Sequence, residues 1–507
     1  MEPHNNNEAK PSPDSQEQAA TESPQKPHSE DALTAKETPL QESPSTAPTE
    51  QQLARAPEAL QDRPLSSRER WVVQELQAYN QNLREADRNA KYAKMGVSPY
   101  AFFRGTNHLY WADFAGDTRL HLFGNSSTRI WIQGDMHVYN FGVFDDSEGD
   151  VVYGMDDFDE AIIADYQYDL WRLAISLLLV ARENNQLPSG KDLPFSTQDQ
   201  EQFVTLLAQS YREALMGYVG NDDEVQKRFT SDSTSGRLDD LLEDTEDSKS
   251  RQAMLDKWTK TVQGARVLKE PTDYDDAPKL SLVSESLETT IRNAMSDYGK
   301  TLSGTLQWDP NYFAVKSIRK RENAGTGSLG LPRYYILIEG ASTDPSDDRI
   351  LDVKLQSAPS SYPYLPASWR AQLNALFPNH AARTVMGYRS LGHNTDPHLG
   401  WMTLPQGVFS VRERSPFKKD FNTQVLKTRN RFEKMVKQWG LILATHHARA
   451  DNDSNPTVLP YSFEQEFTRL TDKSPTSFVA LVLQIATSYA DQVEKDYQAF
   501  QQRLLPS

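Results

Sequence analysis

The sequence predicts an α+β fold in two lobes, one helical and one β-rich. Helical periodicity runs through Glu69–Tyr92, Asp169–Ala181 and Phe203–Tyr218, gives way to strand-like alternation from Tyr312, and returns from Phe432 to Gln502. A chain of 507 residues has material for more than one lobe. We divide it into a tail at 1–65, a helical lobe at 66–310, a β-rich lobe at 311–415, and C-terminal helices at 416–507 that complete the helical lobe.

The tail is rich in Pro, Ser, Gln, Glu and Thr, and ten of the chain's 29 prolines fall in it. Such a composition cannot bury enough apolar area to offset its ordering entropy, so disorder is expected there. With no cysteine, disulfides and thiolate metal sites are excluded. No apolar run approaches the roughly 18 residues of a membrane span, and the N-terminus lacks a signal pattern. We expect a soluble, cytoplasmic protein that does not engage membranes. A net charge of −17 argues against general nucleic-acid binding, because phosphate backbones reward basic surfaces. It leaves room for a nucleotide, which needs only a local cation and a metal.

The helix expected over Glu69–Tyr92 carries Trp71, Val72, Leu76, Tyr79 and Leu83 at helical spacing. Ser98–Gly105 follows as a compact apolar segment with one embedded cation, Arg104, whose partner is either a phosphate or site group or a structural carboxylate. Chemistry concentrates next. Ile130–Ile132 and Val151–Met155 have strand length and composition, and each ends in carboxylates: Asp135, with His137 and Asn140 close behind, and Asp156, Asp157, Asp159 and Glu160. Strands fix a backbone and the loops at their ends carry function. So many acids crowded together call for a divalent cation, and a hard ion such as Mg²⁺ takes Asp and Asn oxygens and shares them with phosphate. Asp169 opens the strongly apolar helix that follows and is expected to cap it. Residues 221–280 are acidic and broken by Gly and Pro, which reads as a mobile insertion with some helix around Leu238–Trp258.

Tyr312–Ile318, Arg333–Glu339, Arg349–Leu355 and Gly407–Glu413 read as strands. Between the first two lies Gly325-Thr-Gly327-Ser328-Leu-Gly330. A dinucleotide-binding GxGxxG must open a helix; here Leu331-Pro332 and a β-rich run follow, so the glycines form a strand–turn–strand. Such a hairpin can cover phosphates with backbone N–H groups, and Lys354 on the next strand can reach the α- and β-phosphates. The plainer reading is a structural turn and an exposed strand lysine. His446 and His447 close the helix from Phe432, beside Asp451 and Asp453. Adjacent residues on a helix diverge by about 100°, so the pair is no zinc clamp, and a histidine suited to a helix C-terminus is the better account.

Gln133-Gly-Asp135-Met-His137-Val-Tyr-Asn140 resembles the catalytic loop, HGDxHxxN, of small-molecule phosphotransferases of the protein-kinase-like superfamily. Asp157-Phe158-Asp159 resembles their metal-binding strand end, and Asp169-Leu170 their buried Asp-Leu. Tyr100–Gly105, Gly134–Gly142, Asp156–Glu160, Gly325–Gly340, Leu399–Trp401 and His447–Asp451 together are similar to the bacterial family of domain of unknown function 2252, from about residue 66 to the C-terminus. The resemblance implies a two-lobe, protein-kinase-like fold. Because the glycine turn and its lysine follow the catalytic loop here, it also implies a circular permutation, which requires Lys354 and the glycines to face Asp135 and Asp157 across one cleft.

On this reading the protein uses ATP and Mg²⁺ for phosphoryl or nucleotidyl transfer to an unidentified small-molecule or protein acceptor. Asp135 orients or deprotonates the acceptor; Asn140 and Asp157 hold metal; Gly325, Gly327, Ser328, Gly330 and Lys354 hold the nucleotide; His137, Asp159 and Arg104 support. Two departures stand out. Gln133 replaces the motif's His, and no Glu lies between Lys354 and Arg412 to hold the lysine as a kinase helix does; Asp157, Asp159 or Gln356 are the candidates for that task. The missing Glu motivates an alternative, a catalytically silent nucleotide-binding regulator. A metal-dependent phosphohydrolase built on Asp135, His137 and Asp157 ranks last, since it leaves the glycine turn unused.

Overall fold

The computed structural model describes residues 65–188, 190–322 and 331–505. Chain order and side-chain period together set its elements. The expected first helix is two, α1 (Leu65–Tyr79) and α2 (Glu85–Met95). Asn80 makes the break: its Nδ2 donates to the Leu76 carbonyl at 2.8 Å while Lys91 Nζ donates to its Oδ1 at 2.9 Å, so a side chain takes up a carbonyl at the end of α1. The apolar segment after it is helical as well, α3 (Pro99–Gly105), capped by the Ser98 hydroxyl with Pro99 at the first position. A short connection leads to α4 (Asn107–Phe114).

Strands β1 (Arg129–Ile132), β2 (Phe141–Asp145), β3 (Val151–Met155) and β4 (Ile162–Asp165) follow. β1 pairs antiparallel with β4, and β2 with β3. The apolar run of the sequence forms α5 (Gln167–Asn184), buried along nearly its whole length. α6 (Thr197–Tyr218) starts with a reciprocal cap between Ser196 and Asp199. In the acidic 221–280 segment, α7 (Arg237–Ser248), α8 (Arg251–Trp258), the hairpin of β5 (Thr259–Val262) with β6 (Ala265–Leu268), and β7 (Leu280–Ser281) alternate with turns. Read from composition as an insertion outside the core, this segment instead buries Leu238, Leu242, Leu255, Trp258, Leu268 and Leu280. Three of these, Leu255, Trp258 and Leu268, cover one face of the large sheet, against Tyr335, Leu337, Ile350 and Leu280 of β7 itself.

That sheet is antiparallel and six-stranded. α9 (Glu285–Gly299) precedes β8 (Val315–Arg321), β9 (Arg333–Ile338) and β10 (Arg349–Gln356); α10 (Ala367–Leu376) and α11 (His380–Leu391) then lead to β11 (Gly400–Leu404) and β12 (Gly407–Glu413). The spatial order is β11-β12-β10-β9-β8-β7. α9 packs Ile291, Met295 and Tyr298 on its other face, with Ile318, Ile336 and Val353. β13 (Lys419–Asp420) joins the β2–β3 hairpin, after which α12 (Arg429–Ala448), α13 (Phe463–Thr471) and α14 (Pro475–Leu504) return to the helical core around α5. Trp131 N in β1 donates to Ala450 O at 3.1 Å, so the end of α12 feeds directly onto the strand that carries the central loop. Among the described residues no helix is long and apolar enough to cross a membrane.

Candidate functional site

In the β2–β3 pair Phe141 lies opposite Met155. The residue before β2, Asn140, therefore sits beside the residues after β3; Asp156 N donates to Asn140 O at 3.2 Å. One hairpin register thus brings together two groups read from sequence as metal ligands, Asn140 and Asp157. Asn140 Nδ2 also donates to the Asp135 carbonyl at 2.8 Å, closing the loop on itself.

That loop demands glycine at Gly134. Its φ is +82°, and a Cβ would stand 2.3 Å from the Glu160 carbonyl oxygen. Gln133 braces it: Oε1 accepts from Asp135 N at 2.8 Å and Nε2 donates to Asp157 O at 2.6 Å, so the residue that departs from the motif's His ties the two acidic segments together. Asp169 does not cap its helix. Tyr166 holds the N-cap position, and Asp169, fully buried within the first turn, accepts from Gln133 N at 2.6 Å and Gly134 N at 2.9 Å. His447 Nε2 lies 3.3 Å from the same carboxylate and its Nδ1 lies 2.8 Å from Tyr211 Oη. His446 bonds Leu391 O through Nδ1 and accepts from Met155 N through Nε2. Both histidines at the end of α12 therefore brace neighbouring backbone and side chains.

Asp135 faces the cleft with its carboxylate held by Arg172, whose Nε donates at 2.7 Å. Arg172 is fully buried in α5, also donates to Phe103 O at 3.1 Å, and lies over the Phe103 ring. Burial pushes the Asp135 carboxyl up to about 7; Arg172 opposes this, and the Glu160 and Asp157 charges add to it. His137 is buried, with Nε2 3.9 Å from Asp135, and burial pushes its imidazole well below its ordinary range. Arg104 is exposed and lies over the Tyr139 ring at 4.8 Å; among the described residues it has no carboxylate partner, so the structural-pair reading of it fails.

Lys354 enters from β10, where it sits opposite Arg333 of β9 and Ser410 of β12. Its ammonium contacts Asp159 and lies 3.9 Å from Asp157 Oδ1. Burial works against its charge, but Asp157 and Asp159 outweigh burial and raise its pKa. Gln356 Nε2 donates to Asp159 Oδ1 at 2.8 Å. Asp156 is engaged by Lys418 Nζ at 2.5 Å, and Glu160 accepts from Ser360 N and Oγ at 2.6 and 2.7 Å. Asp157 keeps 48% of its side chain accessible, more than Asp135, Asp156 or Asp159. Burial alone would raise its pKa, but Lys354, Lys418 and Arg412 pull it down to about 2. The candidate nucleotide residues Gly325, Gly327, Ser328 and Gly330 lie outside the described residues.

These groups line one cleft of about 1080 Å³. In a chain of net charge −17, its lining holds as many basic as acidic side chains, twelve of each, so the lining is formally neutral. The cleft face of the sheet contributes Arg333, Lys354, Arg412 and Arg414. Arg383 of α11, fully buried, donates to Asp159 O at 2.6 Å and to Ala161 O, fixing the acidic loop through its backbone. Arg172 and Arg383 escaped the sequence reading. For Arg172 a signal existed, a lone cation inside an apolar helical run that must be buried and hence must have a partner.

The chain belongs to the family described as "Uncharacterized protein conserved in bacteria (DUF2252)", whose model matches residues 26–503. No curated protein and no solved structure matches it.

Proposed function

We propose that the cleft binds a Mg²⁺–nucleotide, ATP in the first instance, and transfers its phosphoryl or nucleotidyl group to an acceptor. The observation that carries this is the 3.9 Å approach of Lys354 to Asp157, two residues far apart in the chain. One lies on β10, the strand that follows β8 and β9; the other follows the β2–β3 hairpin, beside Asp135. This is the distribution of parts in a protein-kinase-like site, with the lysine on the strand after the glycine hairpin and the metal Asp beside the catalytic loop. The contact of α12 with β1 supports the permuted connection.

The donor set fits Mg²⁺. Asn140 and Asp157 offer hard oxygens, and Asp157 is the carboxylate left open to the cleft while Asp156 and Asp159 are taken by lysines. Bound there, Mg²⁺ would neutralise and orient the phosphates. Lys354 would shift its pairing toward phosphate oxygens, with Arg412 and Arg414 as further positive charge on the same face, while Arg333 is paired with Asp352. Asp135, with a carboxyl pushed up to about 7, suits a base that orients an acceptor hydroxyl and takes its proton near neutral pH, a role worth about 10² to 10⁴ in rate. Phosphoryl transfer asks a protein chiefly for positioning and charge.

The test is ATP binding with and without Mg²⁺, read by calorimetry and thermal shift, and turnover against a panel of hydroxyl and amine acceptors. Asp157→Ala should abolish the Mg²⁺-dependent part of binding while the protein stays folded. Asp135→Asn should leave binding intact and cut turnover about 10² to 10⁴-fold. Undiminished Mg²⁺-dependent binding in Asp157→Ala would sink the assignment.

A further inference from the structure

A second acidic constellation lies where the turn after α6 meets the loop after α12. Asp222 and Glu224 flank the start of a one-turn helix, Asp223–Gln226; Asp451 and Asp453 follow α12; Glu464 lies at the start of α13. One carboxylate oxygen from each of Asp222, Glu224 and Asp453 lies within 4.8 Å of the others. Oxygens bound to one Ca²⁺ at about 2.4 Å can stand no more than about 4.8 Å apart, so the three match one coordination sphere.

Proximity of acids alone would prove nothing, but the burial does point to a ligand. Glu224 is 1% exposed and Glu464 6%, and Oε2 of each has no hydrogen-bond partner. A buried carboxylate oxygen without a donor is costly, and a cation is the simplest way to satisfy it. Among the described residues no side-chain cation pairs with any of the five acids. Arg449, the nearest candidate, spends its guanidinium on backbone carbonyls, Glu224 O at 2.6 Å and Lys227 O. Asp451 is occupied too, accepting from Asp453 N at 3.1 Å and Phe463 N at 2.6 Å, which shapes the loop and presents Asp453. Asp222 and Asp453 are exposed, so an ion can enter from solvent and complete its shell with water. Irregular loop ligands suit Ca²⁺, which tolerates six to eight oxygens in flexible geometry, better than Mg²⁺, which demands a near-ideal octahedron.

We propose that Asp222, Glu224 and Asp453 form a structural Ca²⁺ site that ties the turn after α6 to the loop after α12. None of the five acids lines the cleft, so the site is separate from the proposed nucleotide site. It lies next to Ala450, whose carbonyl bonds β1, and its effect is on stability rather than on nucleotide binding.

The experiment uses the full chain, stripped with chelator and titrated with Ca²⁺ in the absence of nucleotide, read by calorimetry and by melting temperature. One equivalent of Ca²⁺ should bind and raise the Tm. Asp453→Asn and Glu224→Gln should each weaken Ca²⁺ binding by about an order of magnitude or more. Without Ca²⁺ Asp453→Asn should melt higher than the parent, because it removes one charge from an acidic cluster that no side-chain cation pairs among the described residues. Asp157→Asn should bind Ca²⁺ at this site as the parent does. No Ca²⁺ binding into the millimolar range, binding undiminished in Asp453→Asn, or a preference for Mg²⁺ would each overturn the proposal. Should Glu224→Gln fail to fold, the exposed Asp453→Asn still decides.

Discussion

Arg172 and Asp135 show what single residues contribute here. Arg172 is a guanidinium buried in an apolar helix, and its partner is a carboxyl that burial pushes up to about 7, with the Glu160 and Asp157 charges adding to the shift. The pair is therefore poised: above pH 7 it is a salt bridge, below it a cation beside a neutral acid. Arg172→Met leaves the Asp135 carboxylate without its cation. Breaking a buried pair costs about 3–5 kcal/mol when the survivor stays charged. The cost should be largest near pH 8 and smaller near pH 6, where Asp135 can take up a proton; urea unfolding of parent and variant at both pH values measures it. An equal loss at both would mean the pair is not titrating near neutrality. Asp135, Asn140, Asp157 and Lys354 were legible in the sequence because each is a polar group at or near the end of an apolar strand. Gln133 and Arg383 were not, because their value lies in backbone groups brought to them by tertiary folding.

At the scale of elements, period and capping decided most of what the sequence disclosed. α5, α6, α12 and α14, and strands β1, β3, β8, β9, β10 and β12, announce themselves by 3.6- or 2-residue periodicity. The split between α1 and α2 does not, because a single Asn80 side chain ends one helix inside a continuous periodic pattern. The 221–280 segment misleads in the opposite direction: most of its acids are exposed while a few scattered apolar residues cover a sheet, and averaged composition hides them. α10 and α11, between the lysine strand and β11, matter most for the site. A kinase would place a glutamate for the lysine on the helix in this position; here Lys354 is held by Asp159, and α11 offers Arg383, which grips the carbonyls of Asp159 and Ala161. We expect Arg383→Met to destabilise the fold by about 1–3 kcal/mol through unsatisfied carbonyls and to weaken Mg²⁺–ATP binding by loosening the Asp157–Glu160 loop. Calorimetric titration of the folded variant with ATP and Mg²⁺ checks the second effect. Unchanged affinity would show that the loop keeps its shape without α11.

Across the whole molecule, buried titratable groups pull pH dependence in opposite directions. Burial raises the carboxyls of Asp145 and Asp165 to about 6, so their contribution favours the fold at acid pH and is lost as pH rises from the ordinary carboxylate range through about 6. Burial lowers the imidazoles of His108 and His446 to about 3, the nearby cations adding to it. Their contribution is full above the ordinary histidine pKa of about 6.5 and disappears as pH falls from there toward 3, since the unfolded chain then takes up protons the fold refuses. A net acid titration of the parent mixes these opposing slopes, so the difference between two chains is the cleaner measurement. His108 offers it, being 1% exposed, stacked on Tyr79 at 3.8 Å, and without a hydrogen-bond partner at either ring nitrogen. His108→Phe keeps the ring and the stack and sacrifices no hydrogen bond. At pH 8 its stability should match or exceed that of the parent. Below pH 6.5 the advantage should grow by about 1.4 kcal/mol per pH unit, the linkage slope of one proton. Denaturant midpoints of both proteins between pH 8 and pH 4.5 give the difference directly. A flat difference across that range would mean His108 titrates in the fold as it does in the unfolded chain, and that the wall behind Tyr79 at the cleft admits water or an acid partner.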